Sequence, residues 1–120
     1  MIQITPQMRV LVALAPIDFR KGIDGLVAVC RGVLAADALG GTVFVFCNRR
    51  RTTLKLLMYD GQGFWLCQKR LSQGRFRWWP STTGDASAAQ LQAHELQVLL
   101  WGGDPTSTGA APMWRPVRAA

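Results

Sequence analysis

The sequence has few of the groups from which most catalytic and metal sites are built. Its 120 residues include one histidine, three cysteines and seven carboxylates. No two cysteines are spaced C-x-x-C, so the usual arrangement of a structural zinc site is missing. The motifs G-x-S-x-G and G-x-G-x-x-G and the phosphate-binding P-loop are absent as well. These absences predict a protein that is not an enzyme and that holds no metal ion or cofactor.

The few acidic residues also argue against a nuclease or transposase that works through divalent metal ions. Such a site needs two or three converging carboxylates. Here Asp18 is interpreted as a helix cap, and Asp24 lies one helical turn from Arg20. Asp60 belongs to a turn signal. The sequence therefore predicts no acidic catalytic site.

Long apolar runs and secretory features are absent too. No stretch of about 18 uncharged apolar residues occurs, so no membrane-spanning helix is predicted. The segment MIQITPQMRV has neither a basic start nor an apolar run, unlike a secretory signal. Cys30, Cys47 and Cys67 are odd in number and lie in apolar segments, which suits buried free thiols in a reducing compartment. We therefore expect a cytoplasmic protein without a membrane partner.

The amount of apolar sequence predicts one folded domain. Hydrophobic residues make up 49% of the chain, which includes five Trp and five Phe. A chain of this length can bury one modest core. We expect the domain to span residues 1–104. Residues 105–120 are rich in proline and small residues without periodicity, and they are predicted to be a disordered tail.

The domain is predicted to begin with a strand and a long helix. Residues 9–14 (RVLVAL) form a β-branched and aliphatic run that is typical of a buried strand. Apolar residues then recur at helical spacing from Phe19 to Leu34, with Asp18 as the cap. Gly22 lies inside this helix, where it is expected to cost about 1 kcal/mol relative to alanine.

Three further strands are predicted in the middle of the chain. They are residues 42–48, 53–59 and 64–71, and the sequence D-G-Q-G marks a hairpin turn between the last two. Residues 75–79 (RFRWW) are a candidate fifth strand at the sheet edge. The spacing of these segments predicts a largely antiparallel meander.

A second helix is predicted near the C-terminal end of the domain. Ser87 begins S-A-A-Q, in which Gln90 fits the third position of a capping box. The helix would continue to about Trp101, before two glycines. The elements together predict an α+β fold: an antiparallel meander of four to five strands, with one long helix after the first strand and one C-terminal helix.

Positive charge is concentrated in residues 49–77. The chain has a formal net charge of +7, and this segment alone holds eight bases against one acid. The eight bases are Arg49, Arg50, Arg51, Lys55, Lys69, Arg70, Arg75 and Arg77. A general bias for solubility would spread the charge over the surface, so the segment is predicted to bind an anionic partner.

The predicted hairpin brings both ends of this basic segment together. A turn at residues 61–62 pairs Tyr59 with Phe64 and Thr53 with Arg70. The connection that enters the hairpin and the segment that leaves it then meet at the end far from the turn. We therefore expect all eight bases at one edge of the sheet.

Phosphate is the partner that best suits these bases, because arginine presents planar bidentate donors. Phe76, Trp78 and Trp79 interleave with arginines, so that nucleic-acid bases could stack on the two tryptophans. Arg20 and Lys21, at a predicted helix N-terminus, are a candidate for a secondary phosphate site, and the alternative is that Arg20 pairs with Asp24. Two alternatives stay open: the patch docks on an acidic protein surface, or the arginines form a solvated loop beside aromatics that cover the sheet edge.

Five short motifs carry a resemblance to a known family. They are PIDFRKGIDGL (16–26), NRRRTTLKLL (48–57), DGQGF (60–64), KRL (69–71) and GRFRWWP (74–80). Over about residues 8–104 the chain resembles the TnpB accessory proteins of IS66 insertion sequences, which are unrelated to the RNA-guided nuclease of the same name. The resemblance implies an accessory role in transposition beside a separate, larger transposase. It supplies no catalytic residue.

Two functions follow as hypotheses. In the first, the protein binds DNA at the ends of the element through the eight bases and helps to assemble the transposase there. In the second, it is an adaptor that docks on the transposase without contacting DNA, with Trp78 and Trp79 as contact residues.

Overall fold

Five strands form one mixed sheet in the computed structural model, which describes residues 5–20, 22–32, 34, 38–81 and 84–107. The strands are β1 (Val10–Ala13), β2 (Val43–Cys47), β3 (Thr53–Tyr59), β4 (Phe64–Arg70) and β5 (Ala88–Leu91). The helices are α1 (Ile23–Gly32) and α2 (Ala93–Leu100). The predicted α+β class is confirmed. Neither helix is long and apolar enough to cross a membrane.

The strand order is β4-β3-β2-β1-β5. β1 and β2 run parallel, because α1 carries the chain back between them, and every other pair is antiparallel. Every residue of β1 and β2 is buried. A strand that is covered on both faces reads as a continuous apolar run, which explains why these two segments show no polar alternation in the sequence.

The sheet separates two apolar cores. On one face, Leu26 and Cys30 of α1 pack with Phe44 and Phe46, and all four side chains are fully buried. On the other face, α2 and the segment 75–79 supply apolar side chains that pack against the valines of β1 and β2. Each large apolar side chain buried in this way contributes about 1.5–3 kcal/mol.

Helix α1 begins later than the sequence pattern predicted, so the assignment of Asp18 as its cap was wrong. The Asp18 carboxylate accepts the backbone N–H of Arg20 at 3.0 Å and also the guanidinium of Arg20. This local turn competes with the helix for the same backbone. The first helical bond runs instead from the N–H of Leu26 to the carbonyl of Gly22 at 3.0 Å, which leaves Gly22 outside the helix.

The predicted start of the second helix was also wrong, because residues 88–91 form strand β5. They pair antiparallel with β1, from Val10–Leu91 to Ala13–Ala88, and satisfy the edge of β1 that would otherwise be open. The helix starts after Gln92, whose N–H donates to the Glu95 carboxylate at 2.8 Å. Residues 75–79 do not form the fifth strand.

The predicted tail begins in a short 3-10 helix, Pro105–Ser107, in which Pro105 is buried. Residues 108–120, which make up the rest of that predicted tail, lie outside the described residues.

The connection between β2 and β3 is a tight turn built on Asn48. The Asn48 Oδ1 atom accepts the backbone N–H groups of Thr52 (2.9 Å) and Thr53 (3.2 Å), and its Nδ2 atom donates to the Thr52 hydroxyl (2.9 Å). Arg51 closes the turn by donating its N–H to the Asn48 carbonyl at 3.1 Å, with φ at 58°. This left-handed conformation costs a non-glycine residue about 1–2 kcal/mol, so the Asn48 bonds hold the turn against a local strain.

Substitution of the turn residues should separate these two effects. Asn48→Ala removes three side-chain hydrogen bonds and should lower the free energy of unfolding by about 1–3 kcal/mol. Arg51→Gly should leave the free energy of unfolding unchanged or raise it by up to about 1 kcal/mol, because glycine adopts positive φ without strain. Urea unfolding followed by tryptophan fluorescence measures both. Equal stability of Asn48→Ala and the unsubstituted protein would contradict this description of the turn.

The three thiols differ in burial and should differ in reactivity. Burial raises the pKa of Cys30 and of Cys47 to about 11, so both are protonated at neutral pH. Cys67 is only half-buried. We expect a thiol reagent such as DTNB at pH 8 to label Cys67 alone in the folded protein, and all three thiols after denaturation. Rapid labelling of Cys30 or Cys47 in the folded state would show that the core opens.

Candidate nucleic-acid interface

The β3–β4 hairpin has the register that the sequence predicted. Thr53 pairs with Arg70 and Tyr59 pairs with Phe64, with the turn between them held by Asp60. The Asp60 carboxylate accepts the N–H groups of residues 62 and 63 and the Trp65 indole N–H, and these bonds lower its pKa. Asp60 therefore stays ionised at the turn, at the opposite end of the hairpin from the arginines.

Two backbone hydrogen bonds join the segments that carry the arginines. The N–H of Leu71 donates to the Thr52 carbonyl at 2.9 Å, and the N–H of Phe76 donates to the Arg51 carbonyl at 2.8 Å. These bonds bring the 49–51 turn next to the segment 70–77. Six exposed arginines share this end of the sheet, which we call the basic end: Arg49, Arg50, Arg51, Arg70, Arg75 and Arg77.

The two lysines of the predicted set do not extend into solvent with these arginines. Lys55 is 8% exposed, and its Nζ atom donates to the Phe19 carbonyl at 3.2 Å and lies 4.9 Å from the Phe19 ring centroid. Lys69 is half-buried; its Nζ atom donates to the Leu100 carbonyl and lies 5.3 Å from the Trp101 ring centroid. Each amine therefore holds a neighbouring segment in place. Lys55 holds the loop before α1, and Lys69 holds the C-terminal end of α2, where a cation also interacts favourably with the helix dipole.

A cleft of about 450 Å³ opens between two loops beside the basic end. One wall is the loop 16–20, and the other is formed by Asn48, Arg49 and Arg50. The N–H of Ile17 donates to the carbonyl of the last β2 residue at 2.9 Å, which fixes the first wall to the sheet. Residues 16–20 and 48–50, far apart in the sequence, thus line one opening.

Of the two residues of the predicted secondary phosphate site, the structure describes Arg20. The Arg20 guanidinium forms an ion pair with the Asp18 carboxylate at 2.7 Å, and both side chains are largely exposed. Hydrogen bonding to Asp18 raises the pKa of Arg20. Arg20 lies in the wall of the cleft. Lys21, the other residue of this predicted site, lies outside the described residues.

The predicted stacking residues lie mostly inside the protein. Trp79 is 7% exposed and donates its indole N–H to the Ala13 carbonyl at 3.1 Å, so its ring is a core group. Phe76 is buried in the same core, and Trp78 is half-buried against it. This arrangement matches the alternative in which the aromatics cover the sheet, and it leaves Trp78 as the partly accessible ring of the three.

Sequence reasoning missed the most exposed aromatic side chain of the described chain. Trp101 is 87% exposed at the C-terminal end of α2, beside Lys69. Trp65, on the same face of β4 as Lys69, is 45% exposed. Alternation along β4 does indicate the face of Trp65, but no local pattern distinguishes Trp101 from the apolar helix residues before it.

The basic end presents guanidinium groups to solvent. Guanidinium groups donate to phosphate or carboxylate oxygens in pairs and stay charged at any physiological pH. Among the residues that the structure describes, no three His, Cys, Asp or Glu side chains are placed to hold a metal ion.

Comparison with known proteins identifies the family. The sequence pattern of the family described as "IS66 Orf2 like protein" matches residues 8–110. Two curated proteins of Sinorhizobium fredii are similar to nearly the whole chain: "Uncharacterized protein y4jC", 36% identical over 113 residues and 94% of each chain, and "Uncharacterized protein y4hO", 39% identical over 114 residues and 92% of each. No solved structure matches. The resemblance stated from the motifs is confirmed, and the chain belongs to the IS66 Orf2-like family, the TnpB accessory proteins of IS66 insertion sequences.

Proposed function

We propose that this protein is a non-catalytic accessory factor of insertion-sequence transposition that binds DNA at the element's ends and assists the separate transposase. The family implies the accessory role in transposition. The basic end supports the DNA contact. Six exposed arginines meet there, while the one acid of the same segment lies at the far end of the hairpin.

The clustering of the arginines is the observation that carries this proposal. Two backbone hydrogen bonds hold their segments together, so the charges are fixed by the fold and do not depend on side chains finding each other. Like charges held this close repel one another unless an anion neutralises them. A DNA duplex presents about one phosphate per 1.7 Å of axis and releases counterions on binding, which makes it a strong partner for such a surface.

Duplex binding should depend steeply on salt. With five or six arginines on phosphates, the slope of log K against log salt should be roughly −5, from about −0.9 per contact. The double variants Arg49→Ala/Arg50→Ala and Arg75→Ala/Arg77→Ala should each flatten the slope by about two units. Because phosphate contacts carry no sequence information, element ends and unrelated duplexes should weaken alike. Fluorescence anisotropy over a salt series measures these slopes.

The chain offers a matched control for this experiment. Arg9 precedes β1 and Arg31 lies in the last turn of α1, so both exposed arginines lie at the opposite end of the sheet. Arg9→Ala/Arg31→Ala removes the same charge and should leave the slope nearly unchanged. An equal flattening by all three double variants would mean that net charge, and not the basic end, governs binding. Absence of salt-dependent binding would refute the DNA proposal.

A second candidate function, docking on the transposase, is favoured by the α2 side of β4. β4 is an outer strand of the sheet, and edge strands pair readily with other chains. Trp101 and Trp65 present large exposed rings on that side, and exposed tryptophans are frequent hot spots of protein interfaces. These residues replace Trp79 of the sequence-based hypothesis, because Trp79 is buried.

Trp101→Ala should weaken binding to the transposase by about tenfold or more if this surface docks there. For duplex DNA, the slope of log K against log salt should be the same in this variant as in the unsubstituted protein, since no charge is removed. Leu39→Ala is the control, because Leu39 is a 47% exposed apolar residue before β2, at the opposite end of the sheet. A pull-down with nuclease present measures the protein contact alone. Equal recovery of transposase by both variants would remove Trp101 from the interface.

A further inference from the structure

We infer that the cleft between residues 16–20 and 48–50 binds one unpaired nucleotide of a DNA strand. The base would lie against Ile17 and Phe19, and its phosphate would bind Arg49 and Arg50. This inference rests on the proposed DNA binding and adds to it a site that distinguishes DNA with a single-stranded end from a closed duplex.

The size of the cleft fits a single unit of a nucleic acid. Its volume of about 450 Å³ lies near the lower end of the range of about 300–1,000 Å³ that sites for small ligands occupy. One nucleotide, with a flat ring and a compact anion, is a ligand of this size class.

The two walls differ in chemistry in the way that a nucleotide requires. The loop 16–20 supplies the apolar residues Pro16, Ile17 and Phe19 to the lining, and the β2–β3 turn supplies Arg49 and Arg50. A base stacks on apolar and aromatic side chains whatever its identity, whereas a phosphate binds guanidinium groups. An acidic peptide would use the arginines but would leave the apolar wall without a partner.

Both walls are held in place before any ligand arrives. The Ile17 N–H bonds to the end of β2, and the buried Lys55 amine bonds to the Phe19 carbonyl at 3.2 Å. On the other side, Asn48 fixes the turn from which Arg49 and Arg50 project. A site that is already ordered loses less conformational entropy when a ligand binds, which favours affinity.

The charge of the cleft also favours a phosphate. Asp18 and Arg20 lie in its wall and neutralise each other through their 2.7 Å ion pair. The guanidinium groups of Arg49 and Arg50 remain as the net charge of the lining. A base that is stacked and paired inside a duplex cannot reach the apolar wall, so only an unpaired nucleotide can use both walls together.

The test compares two DNAs that differ only in a single-stranded end. One is a blunt duplex, and the other carries a five-nucleotide overhang that contains 2-aminopurine. The unsubstituted protein should bind the overhang DNA about tenfold tighter, within the range that one stacked base contributes, and should change the 2-aminopurine fluorescence. Ile17→Ser keeps every charge; it should remove this preference and leave blunt-duplex affinity and its salt slope unchanged.

Charge variants distinguish the cleft from the rest of the basic end. Arg49→Ala/Arg50→Ala should weaken blunt-duplex binding and also abolish the preference for the overhang. Arg75→Ala/Arg77→Ala, which removes the same charge outside the cleft, should weaken both DNAs by the same factor and so preserve the preference. A preference that survives in Ile17→Ser, with the fold verified by circular dichroism, would place the unpaired nucleotide elsewhere and overturn the inference.

The outcomes separate this inference from the proposed function. Salt-dependent duplex binding without any overhang preference or fluorescence change would overturn the cleft inference and leave the DNA-binding proposal standing. Loss of all salt-dependent binding would refute both. Binding of an acidic peptide that depends on Arg49 and Arg50, with no overhang preference, would assign the cleft to a protein partner and overturn the inference.

Discussion

The turn at Asn48 is the constraint on which the basic end depends. Its side chain replaces backbone partners for Thr52 and Thr53 and holds Arg51 in a left-handed conformation that arginine does not prefer. From this turn the Arg51 carbonyl accepts the Phe76 N–H. One amide side chain thus connects the start of β3, the projection of three arginines and the path of the chain after β4.

A buried lysine makes the second connection. Removing an ammonium group from water is costly unless it finds hydrogen bonds, so Lys55 needs an acceptor on the α1 face of the sheet. It finds the Phe19 carbonyl, and the Phe19 ring lies close to the same amine. The loop before α1 is thereby held beside the β2–β3 turn. The lysine of the basic motif therefore shapes the cleft, and the anion contact that we propose involves the arginines alone.

The basic end separates two surfaces of different character. The cleft lies on the α1 side, and Trp101 lies on the α2 side, where Lys69 bonds to the end of α2. Adjacent side chains of a strand point to opposite faces of the sheet, so Lys69 and Arg70 lie on opposite faces at the same end of β4. The DNA contact that we propose for the basic end and the transposase contact that we propose as the second candidate therefore use different surfaces of the protein.

The sequence by itself determined the family, the α+β class, four of the five strands to within one residue at each end, and the register of the β3–β4 hairpin. The family follows from short motifs, the strands from short apolar runs, and the hairpin register from a turn signal. All of these patterns are local in the chain. Only the tertiary structure decided the rest. Residues 88–91 form a strand because they pair with the edge of β1. Lys55 is buried because the loop before α1 covers it, and Trp79 is buried because the segment 75–79 packs on the other face of the sheet. Burial and strand pairing depend on residues distant in sequence, so no local pattern could reveal them.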